Sequence, residues 1–166
     1  MLDIGTAELL FWKPRYRESE TEARNIIGLK EDNNSSFFIT GIGLERLCMA
    51  TNSLERVQDI DYIKPFYNLM EQQIGKRNFL AGESLRALHR IYSDILKFSI
   101  PTLSRQRRYK INRLIRNILE AQITSSEIER LLKIHTETQP WHPELAKGID
   151  FTLYKIEVYR KGDERR

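Results

Sequence analysis

The sequence predicts a mainly α protein: a helical bundle of about four helices, with small β elements at the N-terminal end, the C-terminal end or both. Three observations carry that expectation. Between Asp61 and Thr138 apolar residues recur every three or four positions, the spacing that lines them along one side of a helix. Helix punctuation divides this stretch at Gly75, at Ile100-Pro101 and at Thr124-Ser125-Ser126-Glu127. Outside it the texture changes to short runs rich in β-branched and aromatic residues. Three segments follow: 1–60, mixed and carrying short strands; 61–138, the helical core; and 139–166, a linker and a C-terminal strand.

In order along the chain, Ala7–Trp12 is a short apolar run stopped by Pro14, which suits a strand or a buried segment. Arg15–Asn25 is charged and reads as a loop or a solvated helical turn. Glu31–Ser36 is a turn, because its Asp, Asn and Ser side chains compete for backbone groups. Phe37–Thr40 is a brief strand, and Leu44–Ala50 begins a helix. Asp61 is a candidate N-cap for the helix Tyr62–Ile74, in which Pro65 falls in the first turn and Gly75 ends the run. A second helix is expected over Glu83–Phe98, stopped where Pro101 pushes Ile100 out of the α region. A third covers Leu103–Glu120. The fourth, from Ser125 to about Thr138, starts at a capping box. Pro140 and Pro143 bracket a loop around Trp141. In Phe151–Arg160, Tyr154, Ile156 and Val158 alternate with Lys155, Glu157 and Tyr159, the pattern of a half-exposed strand. Gly162 opens a charged end that is expected to fray.

The chain has 166 residues, 40% of them hydrophobic, enough for the core of one domain with a small appendage. Its net charge is +4, only mildly basic, so clustering of charge says more than the total. A single cysteine, Cys48, excludes an internal disulfide and suits a reducing compartment. No apolar run approaches the roughly 18 residues of a membrane span. Asp3 and Glu8 stand where a secretory signal needs positive charge and then apolar residues. The expected location is intracellular, cytoplasmic or associated with the nucleoid.

Leu103–Glu120 is the most informative stretch. It sets Arg105, Arg107, Arg108, Lys110, Arg113 and Arg116 against one acid, Glu120, and also carries the apolar stripe Ile111, Leu114, Ile115, Ile118 and Leu119. Such a helix buries a seam and displays cations. Three uses of that face are open: a solvated surface whose long side chains cover apolar neighbours, a docking face for an acidic protein, and a phosphate-binding face with Tyr109 stacking on a base. Glu83 and Asp94 are the acids expected to pair with the flanking arginines in the first case. Trp141, in its proline loop, is either an anchor to its own domain or an interface residue. The candidate partner- or nucleic-acid-binding residues are therefore Arg105, Arg107, Arg108, Tyr109, Lys110, Arg113, Arg116 and Trp141.

Other residue types point away from chemistry. Gly41-Ile42-Gly43 has the first two glycines of a dinucleotide turn, but Arg46 occupies the third position and no P-loop ending follows, so a tight turn is expected. His89, His135 and His142 are far apart, with no cysteine or acid at ligand spacing, and Cys48 reads as a buried structural thiol. No acid pair, nucleophile–base pair or metal set is visible. The expectation is a protein that is not an enzyme, with no cofactor, metal or small-molecule substrate.

Within residues 61–138, under half of the chain, the tyrosine-bearing helix Tyr62–Ile74 is followed by a second helix. Next comes an R-x-x-K-I type segment, Arg107-Arg108-Tyr109-Lys110-Ile111, and after a short gap the helix start Ile123-Thr124-Ser125-Ser126-Glu127. This pattern resembles the helical domain of the GINS family, small subunits of the replicative helicase complex in archaea and eukaryotes. The resemblance implies a subunit without an active site or cofactor, assembled with sister subunits into a tetramer that joins the MCM ring. In that family the helical domain is joined to a small β domain, which follows it in one type and precedes it in the other. Phe151–Arg160 or Ala7–Thr40 is the candidate for it here. The resulting expectation is a non-catalytic assembly subunit for DNA replication, with protein partners in a homo- or hetero-oligomer. The alternative is a helical nucleic-acid-binding module that uses helix 103–120 to contact DNA or RNA.

Overall fold

The computed structural model describes residues 5–10, 12–16, 26–31, 37–100 and 103–163. They fall in two compact units, 1–57 and 58–166. Several expectations lie outside the described residues: positions 17–25 of the charged segment, 32–36 of the polar turn, Phe11, Pro101 and the tail 164–166.

Among the described residues the first unit holds four short strands, β1 (Gly5–Leu10), β2 (Trp12–Tyr16), β3 (Ile26–Glu31) and β4 (Phe37–Ile42), and helix α1 (Leu44–Thr51). β1 runs antiparallel to β4, with Gly5 opposite Ile42 and Leu10 opposite Phe37. β2 runs antiparallel to β3, with Trp12 opposite Glu31 and an irregularity between Arg15 and Tyr16. Among the described residues each ladder has two strands, so Pro14 sits in an edge strand, where a missing N–H is tolerated. A single residue, Gly43, links β4 to α1 in an ordinary extended conformation. The Gly41–Gly43 segment is thus a strand end and a one-residue connection, with no loop to wrap a phosphate.

Among the described residues the second unit is a bundle of five α-helices rather than four: α2 (Lys64–Ile74), α3 (Phe79–Lys97), α4 (Arg105–Glu120), α5 (Ser125–Glu137) and α6 (Glu144–Asp163). α3 is the central element and packs on α4, α5 and α6, while α5 bridges α2 and α6. Ile63, Phe66, Tyr67, Met70, Leu85, Leu88, Ile115, Ile118, Leu131 and Leu132 fill the core. Each side chain of this size contributes about 1.5–3 kcal/mol of burial.

Local chemistry fixes the ends. α2 begins at Lys64 with Pro65 in its first turn, and Gly75 closes it in the left-handed region at φ 71°. Asp61 is not its N-cap; it stands two residues before the N-cap position, Ile63, and its carboxylate accepts from the Tyr62 N–H at 2.8 Å. α3 starts four residues before the expected Glu83, because Asn78 caps it by accepting from the Ala81 N–H. Thr124 and Glu127 form the full capping box of α5.

The largest correction concerns residues 151–160, which are helix and not strand. The buried stripe of α6 is Leu145, Gly148, Thr152 and Ile156, at helical spacing. Two of its four members are small, so the apolar count misses the stripe. Gly148 lies directly on Ser93 of α3, with the Ser93 Cα 3.2 Å from where a Cβ would stand. The Thr152 hydroxyl donates to the Gly148 carbonyl at 2.7 Å, within the helix. Small residues let α3 and α6 approach closely, and Arg160 then ties α6 to the start of α5 by donating to the Ile123 carbonyl and the Ser125 hydroxyl, each at 3.0 Å.

Candidate functional site

α4 is capped by the Ser104 hydroxyl, which accepts from the Arg107 N–H. Ile111, Ile115 and Ile118 are buried against the bundle. Arg105, Arg107, Arg108, Tyr109, Lys110, Arg113 and Arg116 are exposed, and Tyr109 is 63% accessible. Among the described residues, no acid lies within ion-pair distance of Arg105, Arg107, Arg108, Lys110 or Arg113. The acids expected to cover them are engaged elsewhere. Glu83 accepts from Tyr67, Gln58 and Arg86, and Asp94 pairs with Arg90 on its own helix. Arg116 donates to the Tyr159 hydroxyl at 2.9 Å, linking α4 to α6.

The start of α4 is a local conflict. A helix N-terminus carries a partial positive charge and favours acids, yet this first turn holds none and three of its first four residues are arginines. Cations there cost stability, a pattern expected where function overrides the local optimum.

Between α4 and α6 lies a groove of about 290 Å³, with Tyr92 of α3 also in its lining. Ile111, Ile115 and Val158 give it apolar surface; Arg108 on α4 and Lys155 on α6 supply cations. The Lys155 ammonium rests over the rings of Phe151 and Tyr154, at 5.1 and 5.6 Å from their centroids. The α6 residues of this groove are absent from the sequence-derived list, because a strand at 151–160 cannot lie along α4. The signal for a helix was present in Pro143-Glu144 at its start and in the Leu145, Gly148, Thr152, Ile156 spacing.

Trp141 is not part of this surface. It lies before the opposite end of α6, half-exposed, with its ring edge-on to Tyr62 at 5.3 Å. The structure thus gathers the α4 cations and separates Trp141 from them.

His89 and His135 are both buried, and their Nδ1 atoms are 3.0 Å apart. The His89 Nε2 faces the Leu145 carbonyl at 2.9 Å. A carbonyl only accepts, so His89 donates there, leaving its Nδ1 to accept from the His135 Nδ1–H. Both rings are neutral: burial lowers His89 to about 4, and burial with the neighbouring His89 and Arg86 lowers His135 to about 3. The sequence distance of 46 residues hid this pair. Glu144, nearly buried at the start of α6, faces Arg90 at 2.8 Å and Lys97 at 3.3 Å. Its carboxyl is held below the usual range by a backbone hydrogen bond and these cations. Cys48 is partly exposed rather than buried. Among the described residues no group of three or more His, Cys, Asp or Glu side chains is placed to hold a metal ion, and no helix is long and apolar enough to cross a membrane.

Comparison with known proteins finds no family model and no curated protein that matches this chain.

Proposed function

We propose that this chain is a non-catalytic assembly subunit of a multiprotein complex, of the GINS type that serves the replicative helicase. One observation carries the reading: α4 presents five exposed cations that have no acid partner among the described residues, beside a groove with apolar lining. An uncovered surface that combines positive charge with apolar contacts suits an acidic protein partner. Two further features support the GINS assignment. The Arg107–Ile111 segment lies on a bundle helix and Ile123–Glu127 forms a helix start. The strand-bearing unit precedes the helical one, the order of the second GINS type.

The test is affinity capture of the tagged chain from its own cells, followed by light scattering of what is recovered. The reading expects protein partners in fixed ratio, and their loss when Arg105, Arg108 and Arg113 are all replaced by Glu. A monodisperse monomer with no stoichiometric partner contradicts it.

A second reading, a nucleic-acid-binding module, draws on the exposure of Tyr109 among the same cations. A gel shift that weakens steeply with salt, and less steeply in Arg113→Ala, supports it. No binding at low salt removes it.

A further inference from the structure

We infer that the groove between α4 and α6 is the seat of one acidic amphipathic helix from a protein partner, with an apolar anchor in the groove and carboxylates on Arg108 and Lys155. This inference rests on the assembly-subunit reading and gives the partner's chemistry.

Charge selects the occupant. Arg108 and Lys155 belong to different helices, so a segment lying between α4 and α6 meets a cation on each side. The N-terminal end of α4 adds its own partial positive charge and the Arg105 and Arg107 guanidiniums. The one acid of α4, Glu120, is at its far end. On α6, Glu157 is engaged by Arg160 and the Ser125 hydroxyl.

The apolar lining narrows the choice further. Val158 is 49% exposed and lines the groove, so it offers apolar contact area beside the cations of α4. Ile111 and Ile115 lie behind it. A nucleic acid would find phosphate partners here, but its stacking surface is poor: Tyr159 is partly buried and its hydroxyl is held by Arg116. The groove's buried aromatic, Tyr92, is 5% exposed and packs its ring edge-to-face with Phe151 at 5.3 Å. An extended peptide is a poor fit too. Both sides of the groove are helices, whose backbone groups are satisfied internally, so a strand would gain no ladder. A helix brings its own hydrogen bonds and presents anchors at i, i+3 and i+4 with acids on either flank. The volume of about 290 Å³ suits anchoring side chains from such a helix, not a whole segment.

The test uses the full chain and a labelled peptide of about four helical turns, with leucines at i, i+3, i+4 and i+7 and glutamates on both flanks, read by fluorescence anisotropy. A scrambled peptide of equal composition and a single-stranded oligonucleotide are the comparators. The expected result is binding roughly 10-fold tighter than the scrambled peptide, weakened about 10-fold by Arg108→Glu and by Val158→Glu. Both positions are exposed, and unchanged thermal melts verify that the fold persists. Equal binding of the scrambled peptide, indifference to Val158→Glu, or displacement of the peptide by the oligonucleotide at equal concentration overturns the inference. The same Val158→Glu chain separates the two levels of the account. If it captures cellular partners in the unaltered ratio, the groove is overturned and the assembly reading stands. If the unaltered chain captures none, the assembly reading falls, and the peptide comparison still decides the groove.

Discussion

At the scale of one residue, Arg107 sets the proposed docking role against folding. It occupies the third position of α4, three residues after the capping Ser104, where a glutamate would complete a capping box and meet the helix dipole favourably. Arg107→Glu is therefore expected to raise stability by about 0.5–1 kcal/mol while weakening capture of an acidic partner. Denaturant unfolding and affinity capture on the same variant check both halves. The buried histidines make a second prediction at this scale. Both folded pKa values lie below the ordinary 6.5, so the unfolded chain binds more protons as pH falls. The stability they permit is complete above about 6.5 and declines as pH drops toward 4 and then 3. At pH 5 each histidine costs about 2 kcal/mol relative to pH 8. A pH series of unfolding free energies tests this, and a flat profile between pH 6.5 and 5 counts against it.

Among the elements, α6 separates what periodicity reveals from what packing decides. Gly148→Ala raises helix propensity by up to about 1 kcal/mol. It is nevertheless expected to destabilise by about 1–3 kcal/mol, because the new methyl meets the Ser93 backbone where α3 and α6 cross. A stabilised variant in thermal melting would mean that the two helices are not in close contact. The same crossing explains which parts of the fold were legible in the sequence. α2, α4 and α5 carry their buried stripes in Leu, Ile, Phe and Met, and their ends in Gly75, Ser104 and Thr124, so spacing and caps find them. α6 carries half of its stripe in Gly148 and Thr152, residues without a hydrophobic signature, and its exposed Tyr154 and Val158 imitate strand alternation. The cationic residues of the site were readable because charge is a property of composition. The groove was not, because Lys155, Val158 and Tyr159 face α4 only once 144–163 is a helix. At the start of α5, loss of the capping box in Thr124→Ala is expected to cost about 1 kcal/mol in denaturant unfolding.

For the molecule as a whole, the buried apolar residues of the described core, from Ile60 to Ile156, all belong to the unit 58–166. That unit is expected to fold without residues 1–57, giving a helical circular dichroism spectrum and a cooperative melt; a gradual melt would show that the core needs the first unit. On its surface, Arg105, Arg107, Arg108, Lys110 and Arg113 of α4 have no acid partner among the described residues, and that face is the proposed docking surface. The most direct measurement of that claim is hydroxyl-radical footprinting of Tyr109, 63% exposed on α4, in the isolated chain and in its captured assembly. Oxidation of Tyr109 several-fold slower in the assembly is the predicted result. An equal rate in both states, with a stoichiometric partner bound, would show that the cationic face of α4 is not where this protein docks.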